Sequence, residues 1–385
     1  MSRRWLVSGL PGELRWAALE ADGRPSEFRV ERGDRPGQEG DLCLGRVVGL
    51  DRALDAAFVD VGLERPGFLP LAGLARRPAE GEALTVRLLR PAAPDKGAKL
   101  AAVPEGPAGS PPEGRRAPAL LARREALPER LLTFAEPPEE IAVDDEPTLQ
   151  RLRAALAARP DLSATLSLAT GRAAAALETT LSELLDALLA PSVALAGGGR
   201  LWIEPTRALV AVDVDRGAAA DADALNLEAA RELARQLRLR DLSGLIAVDF
   251  LDPSGPATRA RLRQAFEAAL AAEAEDSELG RLGGDGLALV TRRRARPALH
   301  ELVCRPAPAG GWERDPVALA FELLRRVRVA PASASLRLLV SRPVAQALDG
   351  PARPALQAME ALRGHAVERL EEAGRPDAAG EIVIG

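Results

Sequence analysis

Ala208-Leu209-Val210-Ala211-Val212-Asp213-Val214-Asp215 and Gly244-Leu245-Ile246-Ala247-Val248-Asp249-Phe250 are short apolar runs that each end in acid. Each reads as a buried strand bounded by turn signals, Arg216-Gly217 after the first and Asp252-Pro253-Ser254-Gly255 after the second. Between them, Asn226 to Arg240 sorts leucines 227, 233 and 237 and arginines 231, 235 and 238 onto two faces of a helix that Asn226 is expected to open. If the strands are neighbours, Asp213 and Asp249 meet at the same edge of a sheet. Two unit charges about 4 Å apart repel by about 4 kcal/mol at an effective dielectric of about 20, so such a pair calls for a cation between them. A magnesium site for phosphodiester chemistry is built this way. Taken alone, an aspartate at a strand end is most often a turn cap.

Elimination narrows the chemistry. His300 and His365 are the only histidines and tyrosine is absent, so histidine-based triads and HExxH zinc sites have no candidates. The phosphate-binding pattern Gly-x-x-x-x-Gly-Lys-Ser/Thr does not occur. Catalysis in this chain would depend on carboxylates, arginines and a hard metal ion.

The block Asn226-Leu227-Glu228-Ala229-Ala230 continues through Ala234 to Leu242 and Gly244 to Phe250, and closes at Asp252. It resembles the nuclease segment of the ribonuclease E/G family. Upstream, Gly45-Arg46-Val47, Ala56-Ala57-Phe58-Val59-Asp60-Val61-Gly62 and Gly67-Phe68-Leu69-Pro70 resemble that family's RNA-binding barrel. The blocks stand in the family's order, and with gaps the resemblance covers most of the chain.

The chain has 385 residues, 47% of them hydrophobic, enough for two to four packed units. A net charge of −5 argues against a generic basic nucleic-acid binder but leaves room for a local basic channel. Cys43 and Cys304 are isolated, so neither a disulfide framework nor a cysteine-rich zinc site is visible. Gly9 and Pro11 break the N-terminal apolar run too early for a signal peptide, and no stretch is apolar enough to span a bilayer. A cytoplasmic location is the expectation, with no membrane partner.

Short strands are expected at Trp5–Val7, Leu14–Ala18 and Phe28–Glu31, and alternating strands with Gly and Pro punctuation from Gly40 to about Leu100 suggest a small barrel. Residues 103–118 read as a linker. Helices are expected over Thr148–Ala158, Leu177–Leu189, Thr258–Glu273 and Val317–Val327, and a strand over Leu287–Thr291. The class is α/β, as an α+β multidomain chain. The resemblance implies a finer arrangement: an RNase H-like subdomain (1–38 and 119–195) interrupted by an OB-fold RNA-binding barrel (39–102). A DNase I-like nuclease subdomain (196–306) and a small C-terminal α/β domain (312–385) would follow.

Period-two alternation puts Phe58 on the strand face of Asp60, opposite Ala57, Val59 and Val61. An outward aromatic on an OB-type barrel suits stacking on single-stranded bases, although a lone exposed aromatic is also ordinary surface. Phe68 alone reads as core. Through the resemblance, Phe58 and Phe68 match positions that contact RNA, and Lys96 matches a basic residue of the same channel. Lys96 and Lys99 are the only lysines in the chain.

Asp213 and Asp249 match the family's two magnesium-binding aspartates, which implies metal-activated hydrolysis of single-stranded RNA leaving a 5′-phosphate. Arg292, Arg293, Arg294 and Arg296 would neutralise the RNA backbone, with Arg292 and Arg294 the leading contacts; a solvated strand end is the plainer reading. Three departures stand out. Asp215, a candidate catalytic residue, replaces the family's asparagine, and either adds a metal ligand or repels the incoming phosphate. Leu289 stands where the family usually has glutamate. The segment before Leu120 is too short for the 5′-end sensing domain, so cleavage should not depend on a 5′-monophosphate.

The family's zinc-sharing Cys-Pro-x-Cys corresponds here to Ala307-Pro308-Ala309-Gly310, and His300 reads as a surface residue, so no structural zinc is expected and the protein should be a monomer or a metal-independent dimer. The leading expectation is a Mg²⁺-dependent endoribonuclease acting on single-stranded RNA in processing or decay. The alternative is a catalytically weakened RNA-binding relative. A bare assembly scaffold would leave the paired aspartates unexplained.

Overall fold

The N-terminal alternation folds into an antiparallel meander of β1 (Arg4–Leu10), β2 (Glu13–Leu19) and β3 (Pro25–Arg32). The structure is a computed structural model and describes residues 3–33, 37, 39–92, 96–103, 114–122, 126–134, 136–273, 276–308, 310–331, 334–372, 374–377 and 379–384. It comprises two compact units, one of residues 1–34, 127–292 and 298–385, the other of 35–126 with 293–297.

The second unit contains β4 (Leu42–Asp51), β5 (Ala56–Asp60), β6 (Gly67–Pro70), β7 (Ala83–Arg90), β8 (Lys99–Ala102) and β9 (Ala119–Ala122). The first five close into a barrel in the order β4-β5-β6-β8-β7, with β7 returning to β4. Val47, Val59, Leu69, Val86, Leu88 and Leu100 fill it. Residues 119–122 were expected to begin the return to the first sheet, and here the structure differs. β4 pairs with β5 only along its second half, and β9 takes the open edge of its first half. The expected linker lies mostly outside the described residues.

The chain rejoins the meander through α1 (Ala126–Leu132), β10 (Glu140–Val143), α2 (Glu146–Ala155), α3 (Pro160–Ser163), β11 (Leu166–Leu168) and α4 (Gly171–Leu189). β10 runs parallel to β1 and β11 parallel to β10, giving the sheet order β11-β10-β1-β2-β3.

Next come β12 (Ser192–Ala194), β13 (Arg200–Pro205), β14 (Val210–Asp215), α5 (Ala222–Leu239), β15 (Gly244–Asp249), α6 (Pro256–Ala271), β16 (Ser277–Leu282) and β17 (Leu287–Arg292). They form a mixed sheet ordered β12-β13-β14-β15-β17-β16, in which β14 and β15 are a parallel pair bridged by α5. One face packs Ile203, Val212, Ile246, Val248 and Val290 into a core with Leu233, Leu237 and Phe266 from the helices. The opposite face leaves Trp202, Leu245, Leu287 and Leu289 exposed.

The remainder is α7 (Leu299–Val303), β18 (Cys304–Pro306), β19 (Trp312–Arg314), α8 (Pro316–Val329), β20 (Leu336–Val340), α9 (Arg342–Asp349), α10 (Arg353–Arg363), β21 (Glu368–Glu371) and β22 (Gly380–Ile384). It has its own core around Phe321, Leu324, Leu338 and Leu348, which Leu10 of β1 joins. Ions seal the junction. Arg325 of α8, fully buried, lies 3.2 Å from Glu13 and 3.7 Å from Glu178, and donates to Ser8. Arg328 pairs with Asp144. Among the described residues, no helix is long and apolar enough to cross a membrane.

Candidate functional site

Along β14, Val210, Val212 and Val214 point into the core while Asp213 and Asp215 point out; along β15, Ile246 and Val248 point in and Asp249 points out. The parallel register pairs Asp213 with Asp249. Their side chains therefore leave the same exposed face one strand spacing apart, about 4.8 Å between backbones. On the flanks, Trp202 is the register partner of Asp213 and Leu287 that of Asp249. Trp202, Glu204, Asp213, Asp249 and Leu287 line an open cleft of about 270 Å³.

Partial burial, and then the charges of Asp249, Asp215 and Glu204, push the Asp213 carboxyl above the ordinary carboxylate range. A divalent cation relieves that repulsion. Mg²⁺ commonly takes only one or two carboxylates and keeps several waters, so the oxygen donors here fit it. Among the described residues, no three His, Cys, Asp or Glu side chains form a group that could hold a metal ion. A cation at this cleft would rest on the aspartate pair and be completed by water or substrate.

The end of β15 is held from two sides. Asn226 does not open α5: the helix starts at Ala222, with the Asp221 side chain accepting from Ala224 N–H. Asn226 is instead buried within the helix, where its amide donates to Leu251 O at 2.8 Å and its carbonyl accepts from Leu251 N–H at 3.1 Å. An Asx cap was a reasonable reading of an asparagine before a leucine-rich run, but Asn226 shares the inward stripe of Ala230, Leu233 and Leu237. A polar side chain on that stripe must find a buried partner. On the other side is Gly286, at φ +79°, where a Cβ would stand 2.1 Å from Phe250 O. Only glycine permits that close approach.

The remaining expected residues divide. Asp215 shares the face of Asp213, but its carboxylate accepts from Gly217 N–H at 3.0 Å and caps the turn after β14. Leu289 also faces outward, opposite Ala247 on β15. Arg292 corrects the expectation of an RNA contact. Period-two alternation puts it with Ala288 and Val290 on the helix-covered face, where it is 3% exposed and donates to Leu242 O at 2.8 Å. Arg294, half-buried, belongs to the unit that contains the barrel. Glu204 and Trp202 escaped the sequence reading because β13 was not identified; its cue is the alternation of Leu201 and Ile203 with Trp202 and Glu204.

On the barrel, Phe58 of β5 and Phe68 of β6 are register partners, half-buried outside the core, with ring centroids 6.2 Å apart edge to face. Phe68 thus leaves the core position to Leu69. Lys99 is the register partner of Phe68, and both Lys96 and Lys99 are exposed; Asp95 lies outside the described residues. At the positions matching the family's zinc motif, Ala307 N–H donates to Gly311 O in the β18–β19 turn, and Ala309 lies outside the described residues. His300 packs edge-on against Trp312.

Residues 110–295 match the Ribonuclease E/G family. The chain is 25% identical to Ribonuclease E of Escherichia coli (strain K12) over 462 aligned positions, covering 93% of this chain and 44% of the relative. It is 31% identical to Ribonuclease G of the same organism over 222 positions, covering 54% of this chain and 45% of the relative. Against Ribonuclease E of Nostoc sp. it is 37% identical over 162 positions, 40% of this chain and 23% of the relative. The chain thus spans less than half the length of each of these proteins. A matching family segment that contains both cleft aspartates, and likeness to both named ribonucleases, make this chain similar to the ribonuclease E/G family across its nuclease segment.

Proposed function

We propose that this protein is a Mg²⁺-dependent endoribonuclease that cleaves single-stranded RNA in RNA processing or decay in the cytoplasm. The observation that carries the reading is the in-register pair Asp213–Asp249 on an uncovered sheet face, within the segment that matches the family. Asp213 and Asp249 would hold the cation. Bound there, Mg²⁺ supplies Lewis-acid activation of water and charge neutralisation at the scissile phosphate. Asn226 and Gly286 fix the backbone that carries Asp249. Phe58 and Phe68 offer aromatic surface for unpaired bases, while Lys96, Lys99 and Arg294 contribute cations toward the backbone.

The topology supports the finer assignment as well. A three-strand meander continued by two parallel strands suits an RNase H-like subdomain, the closed five-strand barrel an OB-fold, and the β12–β17 sheet with its helices a DNase I-like subdomain. The alignment with Ribonuclease E runs over more positions than this chain has residues, so the relative carries segments missing here. That supports loss of a 5′-end sensing domain, and with it equal cleavage of 5′-hydroxyl and 5′-monophosphate RNA.

The test is cleavage of an AU-rich single-stranded RNA with and without Mg²⁺, alongside Asp213→Asn and Asp249→Asn. Loss of a metal-dependent rate by about a hundredfold or more in either variant, with the cooperative fold retained, is the expected result. A second reading, a weakened RNA binder, is favoured by Leu289 on the same sheet face. It predicts RNA binding with no Mg²⁺-dependent cleavage by the unmodified protein.

A further inference from the structure

Trp202 sits on the wrong side of its strand for a core residue. Its neighbours Leu201 and Ile203 are 0% and 1% exposed in the core, whereas Trp202 is 37% exposed on the opposite face. It lines the acidic cleft as the register partner of Asp213. Arg200, two residues earlier on the same face, places its guanidinium carbon 5.8 Å from the indole centroid. That guanidinium is tethered by donation to Ser192 Oγ at 3.2 Å, and Ser192 is itself the register partner of Trp202. The other tryptophans are used differently: Trp5 and Trp16 are buried, and Trp312 donates to Pro205 O.

We propose that Trp202 is a stacking platform for an unpaired base of the RNA whose phosphate lies at the Asp213–Asp249 pair; this deepens the nuclease reading and rests on it. An indole has a sequence-tolerant π-face for any base, and a base in a duplex has its own faces covered by neighbours. The strand that carries Trp202 lies one spacing from that of Asp213 and two from that of Asp249, within the reach from a phosphate to an adjacent base. Arg200 adds a cation over the ring, where a neighbouring phosphate would meet it. A protein partner suits this face poorly. It would have to bury Asp213 and Asp249 beside the apolar residues, which is costly without buried cations opposite. Trp202 therefore positions substrate and favours single strands at the cleavage site itself.

The experiment uses the full chain carrying Trp312→Phe, so that Trp202 dominates the exposed indole emission. In an Asp249→Asn background, which stops turnover, a single-stranded oligoribonucleotide should quench that emission saturably while the corresponding duplex does not. In the cleavage assay Trp202→Ala should raise KM about tenfold with little change in kcat, and Trp202→Phe should recover most of the loss. Absent quenching with unchanged KM overturns the platform and leaves the nuclease reading standing. Quenching by single strands together with no cleavage by unmodified protein overturns the nuclease reading and retains the stacking. Equal quenching by duplex, or a concentration-dependent dimer lost in Trp202→Ala, overturns the assignment to an unpaired base.

Discussion

Asp213 and Asp249 are register partners on adjacent parallel strands, so the helix crossover through α5 brings two carboxylates side by side on one exposed face. Bare carboxylates on neighbouring strands of one face repel each other, and the Asp213 pKa, raised first by burial, is raised further by that repulsion. Such an arrangement is useful when a cation is shared between them.

Protons should compete with that cation. Because burial and then Asp249 raise the Asp213 pKa, divalent-ion affinity should fall as pH drops through that raised value, at higher pH than for an ordinary aspartate. Without metal the sign reverses. A folded-state pKa above the unfolded value contributes stability that is full below the unfolded pKa and lost as pH rises through the folded one. Asp213→Asn should therefore raise the melting temperature of metal-free protein near neutral pH, by less than about 1 kcal/mol equivalent since the group faces solvent, and make no difference in strong acid. Calorimetry across pH decides this; an Asp213→Asn variant less stable than its parent at neutral pH would contradict it.

The barrel platform is separable from folding. Phe58 lies outside the core that Val59 and Leu69 build, so Phe58→Ala should weaken single-stranded RNA binding by about 1–3 kcal/mol at fixed salt. Lys96→Ala should reduce the salt slope of binding by about 0.7. Neither should shift the melting curve appreciably. Titrations at several salt concentrations, paired with thermal melts, check both.

Asn226 holds both backbone groups of Leu251 just beyond Asp249. Asn226→Ala leaves that N–H and C=O without their partner, a cost of about 1–3 kcal/mol for each group kept from water. Denaturant unfolding should show the loss. The cleavage rate, measured where the variant is still folded, should also drop. Full activity in folded Asn226→Ala would show that the loop keeps Asp249 in place unaided.

Arg325 is buried against Glu13 and Glu178. Arg325→Ala removes a fully buried cation from Glu13, which keeps Arg15, and from Glu178, which keeps Ser8 and Arg328. It should cost about 3 kcal/mol, more than removing an exposed pair such as Arg337–Glu368, worth at most about 1 kcal/mol. Urea midpoints of the two variants give the comparison.

Much of the site was legible along the chain. The apolar runs before Asp213 and Asp249, and the outward placement of Phe58, follow from period-two alternation, which is a local property of consecutive residues. Phe68 was read as core when taken alone, because a four-residue strand carries too little pattern to choose its face. Arg292 was misplaced for a related reason. It looked like the first member of an exposed arginine run, while its parity with Val290 committed it to the covered face.

The sequence by itself determined which residues alternate, where the two acid-tipped strands, the N-terminal meander and the longer helices lie, and that two acids end two apolar runs. Tertiary structure decided the rest: that β14 and β15 are neighbours in register, that Asn226 turns inward to Leu251, and that Trp202 and Glu204 arrive beside Asp213 from an unrecognised strand. Alternation is set by backbone geometry over a few residues. Strand order and register are set by which apolar faces bury together across tens of residues, and no local pattern records that choice.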